Sequence, residues 1–155
     1  GVIKTESSFN PFAVSQAPAY GLMQIVPSSA GRDLFERIKD IQGQPSPQDL
    51  YDPEFNIDIG AAYLKILQDQ YLVNIKDKNA KRYSVISAYN GGAGNVYRTF
   101  SGDRARAIAR INQLAPEEVY RQLNQNHPKA ESRRYLDKVS EAQKEFWRND
   151  GFVKQ

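Results

Sequence analysis

Near the start of the chain a single carboxylate stands among apolar residues, in the stretch Ile3-Lys4-Thr5-Glu6-Ser7-Ser8-Phe9-Asn10-Pro11. In a helix Glu6 lies one turn on from Val2 and Ile3, on the same face, and Phe9 extends that face by three residues. A glutamate on an inward stripe costs free energy unless it is paired, protonated or used. The stretch therefore reads either as a salt-bridged glutamate at a cleft edge or as a working acid. Asn10 precedes Pro11, and the residue before proline is driven out of the α region, so the helix must end within about a turn of Glu6. The partial negative charge of a helix C-terminus and the apolar neighbours both disfavour the ionised form. A glutamic acid kept protonated near neutral pH is what general acid catalysis needs.

Three more stretches carry side chains with chemical use. In Ala19-Tyr20-Gly21-Leu22-Met23-Gln24-Ile25 the glycine permits a close approach or an unusual dihedral. Gln24 adds an amide beside residues that otherwise read as core. In Ala88-Tyr89-Asn90-Gly91-Gly92-Ala93-Gly94 an aromatic ring precedes an amide and a glycine-rich break, a pairing suited to stacking on a sugar while hydrogen-bonding it. A phosphate loop is excluded there, since no Gly-Lys-Ser/Thr ending and no preceding strand occur. The dinucleotide fingerprint fails for want of a βαβ unit. In Glu131-Ser132-Arg133-Arg134-Tyr135, Tyr135 shares a face with Val139, Ala142 and Phe146, so its hydroxyl needs a partner inside or at a cleft. Arg133 and Arg134 are solvated, paired with Glu131, or turned to an anionic substrate, with solvation the default.

The elements that must position these residues read as helices throughout. Ser28 and Ser29 offer caps for a helix reaching about Ile38, and Gln42 to Asp49 is a loop punctuated by proline and glycine. Asp52-Pro53 opens a long helix whose apolar set, Phe55, Ile59, Tyr63, Ile66 and Leu67, predicts the central and most buried element. Further helices run from Lys81 to Tyr89, through Val96, Tyr97 and Phe100, from Ala105 to Leu114, from Pro116 to a stop at Pro128, and from Glu131 to Trp147. No alternation of strand type, repeat or boundary divides the chain, which reads as one all-α domain over residues 1–155.

Composition bounds the partners. The chain has 155 residues, 40% hydrophobic and 25% charged, with a formal net charge of +3; that suits a single core and mildly favours anionic partners. No block of five like charges appears, so nucleic acid is not expected as a partner. No apolar run approaches a membrane span. The chain holds no cysteine, which removes disulfides, thiol catalysis and cysteine-ligated metal. His127, in Asn126-His127-Pro128, is the single histidine; it reads as a helix end in solvent, without a nucleophile motif to serve. The first residue is Gly, so the sequence reads as a processed or excised piece, with any anchor or export signal outside it.

Taken together and in order, "ESSFNPFAVS", "AYGLMQIVPSSAG", "AYNGG" and "HPKAESRRYLDKV" resemble the motifs of the lytic murein transglycosylase family, which has the goose-type lysozyme-like fold, and "LYDPEFNIDIGAAYL" between them also looks like family sequence. The resemblance spans Val2 to about Phe146. It implies a compact multi-helix domain with a glycan-binding cleft. It assigns Glu6 as the catalytic acid, Gln24, Tyr89 and Asn90 as substrate-binding residues, Tyr135 as a hydroxyl near the acid, and Ser15 as a hydroxyl facing the muramoyl N-acetyl group. Family members usually carry one or more helices before the catalytic glutamate, whereas here only five residues precede it; a domain truncated at its N-terminal side is the expectation.

The implied reaction is cleavage of the β-1,4 bond between N-acetylmuramic acid and N-acetylglucosamine, closing a 1,6-anhydromuramoyl ring, with no metal and no cofactor. The motifs contribute one inward glutamate, where ordinary glycosidases need two carboxylates. The resemblance also implies peptidoglycan glycan strands as partner, a monomer, and a periplasmic site attached to the outer membrane through a lipid anchor outside these residues. Two rivals stand beside this reading. One is a hydrolytic muramidase of goose-lysozyme type, using Asp33, Asp49, Asp52 or Asp58 to hold a water. The other is a peptidoglycan-binding module without turnover.

Overall fold

A computed structural model describes residues 1–38 and 42–149. Among them are nine α-helices, and extended pairing is limited to two isolated bridges, Val14 with Tyr20 and Tyr20 with Ile25. The all-α reading holds. The backbone packs as two compact units, Gly1–Tyr63 and Leu64–Gln155.

In the first unit, α1 spans Val2–Ser7. It ends because Ser8 and Phe9 take left-handed backbone angles, φ 51° and 65°, with the Ser8 N–H donating to the Lys4 carbonyl at 3.1 Å. The stop falls one residue after Glu6, as the Asn10-Pro11 signal requires. It also corrects one expectation: Phe9 lies beyond the helix, 53% exposed, and does not extend the face of Glu6. α2, Arg32–Ile38, follows a π-type turn over Pro27–Gly31. The expected serine cap is absent; the turn closes through the main chain, Gly31 N–H to the Val26 carbonyl at 3.1 Å. The proline-punctuated loop holds a short helix the sequence pattern missed, α3 over Pro47–Tyr51. Ser46 and Asp49 close a capping box around it, with the Asp49 N–H donating to Ser46 Oγ at 3.2 Å and the Ser46 N–H to Asp49 Oδ2 at 2.8 Å.

α4, Pro53–Ile66, starts as expected, its Phe55 N–H donating to Asp52 Oδ1 at 2.8 Å. It is not the most buried helix. Only a narrow stripe of Asn56, Ile59, Gly60 and Ile66 is buried, and Ile57, Asp58, Ala61 and Lys65 face solvent. That place belongs to α5, Lys78–Gly91 in the second unit, where five consecutive residues from Ser84 to Ala88 are buried. Continuous burial follows from its packing against α6 (Ala93–Phe100), α8 (Pro116–Asn126) and α9 (Tyr135–Asn149) on different sides. Between α6 and α8, α7 spans Arg104–Gln113, capped by Asp103 Oδ1 at 2.8 Å from the Arg106 N–H. The core of this unit includes Val96, Ile111, Val119, Leu123 and Leu136. Each such side chain contributes about 1.5–3 kcal/mol on burial. α9 starts four residues later than the pattern suggested: Ala130–Ser132 form a separate 3-10 turn, and Arg134, at φ 68°, breaks the run before Tyr135.

Candidate functional site

The first unit gathers the opening motif and the Gln24 motif. Glu6 is half-buried on α1. Its neighbour Ser7 donates through Oγ to the Leu22 carbonyl at 2.8 Å, with the Ile3 carbonyl at 3.1 Å. The end of the acid's helix is thereby tied to the turn that carries Gln24. That turn is a tight one: Tyr20 and Ile25 exchange both main-chain bonds at 3.0 Å. Gly21 sits at φ 77°, and a Cβ there would meet the Leu50 carbonyl oxygen at 2.2 Å and Asn56 Nδ2 at 2.3 Å. Both the dihedral and the space demand glycine. Behind it, Asn56 is wholly buried. Its Nδ2 donates to the carbonyls of Tyr20 (2.9 Å) and Leu50 (2.8 Å), and its Oδ1 accepts from the Met23 N–H at 2.8 Å.

Gln24 itself has a left-handed backbone, φ 52°. Its Nε2 donates to the carbonyls of Ala13 (3.1 Å) and Gly21 (3.0 Å). With both amide hydrogens engaged, what Gln24 can present to a ligand is its carbonyl oxygen. Ser15 lies in the exposed loop that Gln24 grips, its hydroxyl donating to the Ala17 carbonyl and accepting from the Ala19 N–H at 3.3 Å. It is left to act as an acceptor.

The second unit gathers the other two motifs. Tyr89 and Asn90 are half-buried near the C-terminal end of α5. Ser132, 1% exposed, donates through Oγ to Asn90 Oδ1 at 2.7 Å. That bond fixes the amide's orientation and leaves Nδ2 as the group Asn90 can offer outward. Tyr135, 5% exposed, opens α9 three residues after Ser132.

His127 requires a correction, since it is fully buried rather than a solvated helix end. Its Nδ1 lies 3.1 Å from the Lys129 main-chain nitrogen and 3.2 Å from the Lys129 carbonyl oxygen, and its buried Nε2 meets no hydrogen-bond partner among the described residues. Burial holds its pKa below the ordinary value, with the Lys129 and Arg133 charges pushing the same way. The ring fills the space beside Gly91, where a Cβ would come within 2.5 Å of His127 Cε1 and Nε2. The imidazole and the glycine thus form one fitted support beneath the Tyr89-Asn90 end of α5. Arg133 is exposed, as the default reading has it, and is not the partner of Glu131: its Nε donates to the His127 carbonyl at 2.8 Å, and Glu131 pairs with Lys129.

The four motifs therefore come together in pairs, first with second and third with fourth. Sequence reasoning missed the residues that join them. Asn56 had a legible signal, an amide on the apolar stripe of Ile59, Tyr63 and Ile66. Ser7, Ser132 and His127 had none, because each works through a partner distant in the chain. Among the described residues no group of three or more histidine, aspartate and glutamate side chains could hold a metal ion.

Comparison with known proteins places the chain. Residues 1–112 match the family model described as "Transglycosylase SLT domain", and the chain belongs to that family, whose all-α fold is lysozyme-like. Among its relatives are proteins named membrane-bound lytic murein transglycosylase C: that of Pectobacterium atrosepticum is 56% identical over 147 residues, covering 95% of this chain and 41% of the relative. The protein of that name from Photorhabdus laumondii is 56% identical over 94% of this chain and 40% of its own length. The one from Haemophilus influenzae is 56% identical over 94% and 41%. The chain spans about two-fifths of the length of these curated relatives.

Proposed function

We propose that this chain is the catalytic part of a lytic transglycosylase that cleaves the β-1,4 bond between N-acetylmuramic acid and N-acetylglucosamine in peptidoglycan. Its product carries a 1,6-anhydromuramoyl end. Membership of the family and the relatives' name support the reaction class. The observation that carries the mechanism is the distribution of carboxylates. Glu6 is half-buried on a helix tied to the Gln24 turn, whereas Asp33, Asp49, Asp52 and Asp58 are all exposed. Two of these four are already committed, Asp49 to the capping box of α3 and Asp52 to the start of α4. The hydrogen bonds from Ser46 hold the Asp49 carboxyl below the usual carboxylate range, which suits a cap and not a proton carrier.

One carboxyl then serves twice. Glu6, protonated, gives its proton to the glycosidic oxygen as the C1–O bond breaks and its electron pair leaves with that oxygen. The muramoyl N-acetyl carbonyl stabilises the positive charge at C1. The Glu6 carboxylate next takes the proton of the C6 hydroxyl, and O6 closes on C1. No water is consumed, and Glu6 is returned protonated. Ser15, Gln24, Tyr89, Asn90 and Tyr135 bind the glycan, through the Gln24 carbonyl oxygen, the Asn90 Nδ2 donor and the aromatic ring of Tyr89. The protein acts as a monomer in the periplasm, held at the outer membrane by a lipid anchor outside these residues; no described helix is long and apolar enough to cross a membrane.

Digestion of purified sacculi, with the released fragments weighed, tests the reading. Sugar ends lighter by one water than a reducing end are expected. Reducing ends would establish the hydrolytic muramidase instead, and tight binding with no fragments a module without turnover.

A further inference from the structure

Away from the motifs, the second unit carries a pocket of about 360 Å³ lined by Arg82, Tyr83, Glu117, Tyr120, Ser140, Gln143, Lys144 and Trp147. The volume falls in the range of small-ligand sites, about 300–1,000 Å³. Arg82 and Gln143 each lie eight residues from Asn90 and Tyr135 on α5 and α9, about 12 Å along either helix axis at 1.5 Å per residue. The pocket is therefore separate from the Asn90–Ser132 corner.

Its walls are built rather than incidental. Tyr83 and Tyr120 meet edge to face, ring centres 5.0 Å apart at 76°. The Tyr120 hydroxyl is held among Asp137, Ser140 and Asn124, and burial together with the Asp137 carboxylate pushes the phenol up to about 12. Asp137 is itself fixed by Asn124, whose Nδ2 donates to Oδ1 at 3.0 Å. Arg82 bonds the Gln143 side chain across the pocket. At the rim, Trp147 is 56% exposed, a large apolar face in water with an aromatic-lined recess beside it.

We propose that this pocket is a second saccharide site, which holds an N-acetylated glycan segment at a distance from the reacting bond. Aromatic faces stack on the apolar side of a pyranose ring. The polar lining offers donors from Arg82 and Lys144, acceptors from Glu117, and both from Gln143 and Ser140. A ring of hydroxyls and an amide presents donors and acceptors alternately, and that mixed lining matches it. An anionic peptide would be served by the two cations and opposed by Glu117. The choice of an N-acetylated sugar rests on the function proposed above.

Trp147 is the sole tryptophan of the chain, so its emission reports occupancy of this pocket directly. In the Glu6→Gln chain, which removes turnover, titration with the tetramer of N-acetylglucosamine should change that emission saturably. Arg82→Ala with Gln143→Ala should raise the half-saturation concentration at least ten-fold, while Asn90→Ala should leave it within two-fold. A flat titration overturns the proposal, as does a response that Asn90→Ala abolishes. A response to a dicarboxylic peptide but not to the sugar also overturns it, in favour of a peptide site. Sacculus digestion by the unsubstituted chain is scored separately: a Trp147 response without digestion would defeat the proposed reaction and leave this site standing.

Discussion

The two units hold their site residues by different means. In the first, position comes from the main chain: Ser8, Phe9, Gly21 and Gln24 all have positive φ, and the side chains of Ser7, Gln24 and Asn56 bond carbonyls and an N–H. In the second, helix ends do the placing, and side chains bond or fit one another, Ser132 to Asn90 and His127 against Gly91. A frame of strained turns answers to one buried keystone. A frame of helix ends distributes the same task over several modest contacts. Substitutions should separate the two.

The largest loss is expected at Asn56. Asn56→Ala strands the Met23 N–H and the Leu50 carbonyl and takes one of two donors from the Tyr20 carbonyl, which keeps its bond from the Ile25 N–H, costing on the order of 3–5 kcal/mol. Thermal melting checks this, and a loss under 1 kcal/mol would mean the turn stands without its keystone. Gly91→Ala should cost about 1–3 kcal/mol, since the methyl must displace the His127 ring. The double variant Gly91→Ala with His127→Ala should recover part of that cost if the fit between the two is the reason.

His127 supplies a pH dependence whose sign follows from its lowered pKa. Below an unfolded value of about 6.5 the unfolded chain binds the proton more readily than the folded one. Stability is then full above that pH and falls as the solution is acidified through the window down to the folded pKa. The slope from this one group is at most about 1.4 kcal/mol per pH unit. Melting curves from pH 7 to 5 should fall more steeply for the unsubstituted chain than for His127→Gln, and parallel curves would remove His127 from the account. The smallest effect belongs to Ser132→Ala, which frees the Asn90 amide to rotate. About 0.5–1.5 kcal/mol is at stake, read as a rise in KM for glycan of up to about ten-fold with little change in melting temperature.

What was legible in the sequence follows the same division. The start at Asp52 and the stop before Pro11 are local chemistry, and each stands where the residues point. The errors arose at unsignalled local turns and where distant contacts decide. Phe9 leaves the helical face because two residues turn left-handed, and His127 is drawn inside by a glycine 36 positions earlier in the chain. The α3 helix hid behind Pro47, which marks a helix start as readily as a loop, and only the Ser46–Asp49 reciprocity distinguishes the two. The pairing of Ser7 with Leu22 and of Ser132 with Asn90 depends on tertiary placement, which no spacing rule supplies.

The central claim is that one carboxyl performs both proton transfers, and Glu6→Gln tests it most directly. The amide keeps the shape and removes the proton, so the rate of anhydromuropeptide release from sacculi should fall by at least about 10³-fold, while the melting temperature stays within a few degrees. Release at near the unsubstituted rate from a folded Glu6→Gln chain would contradict the account outright.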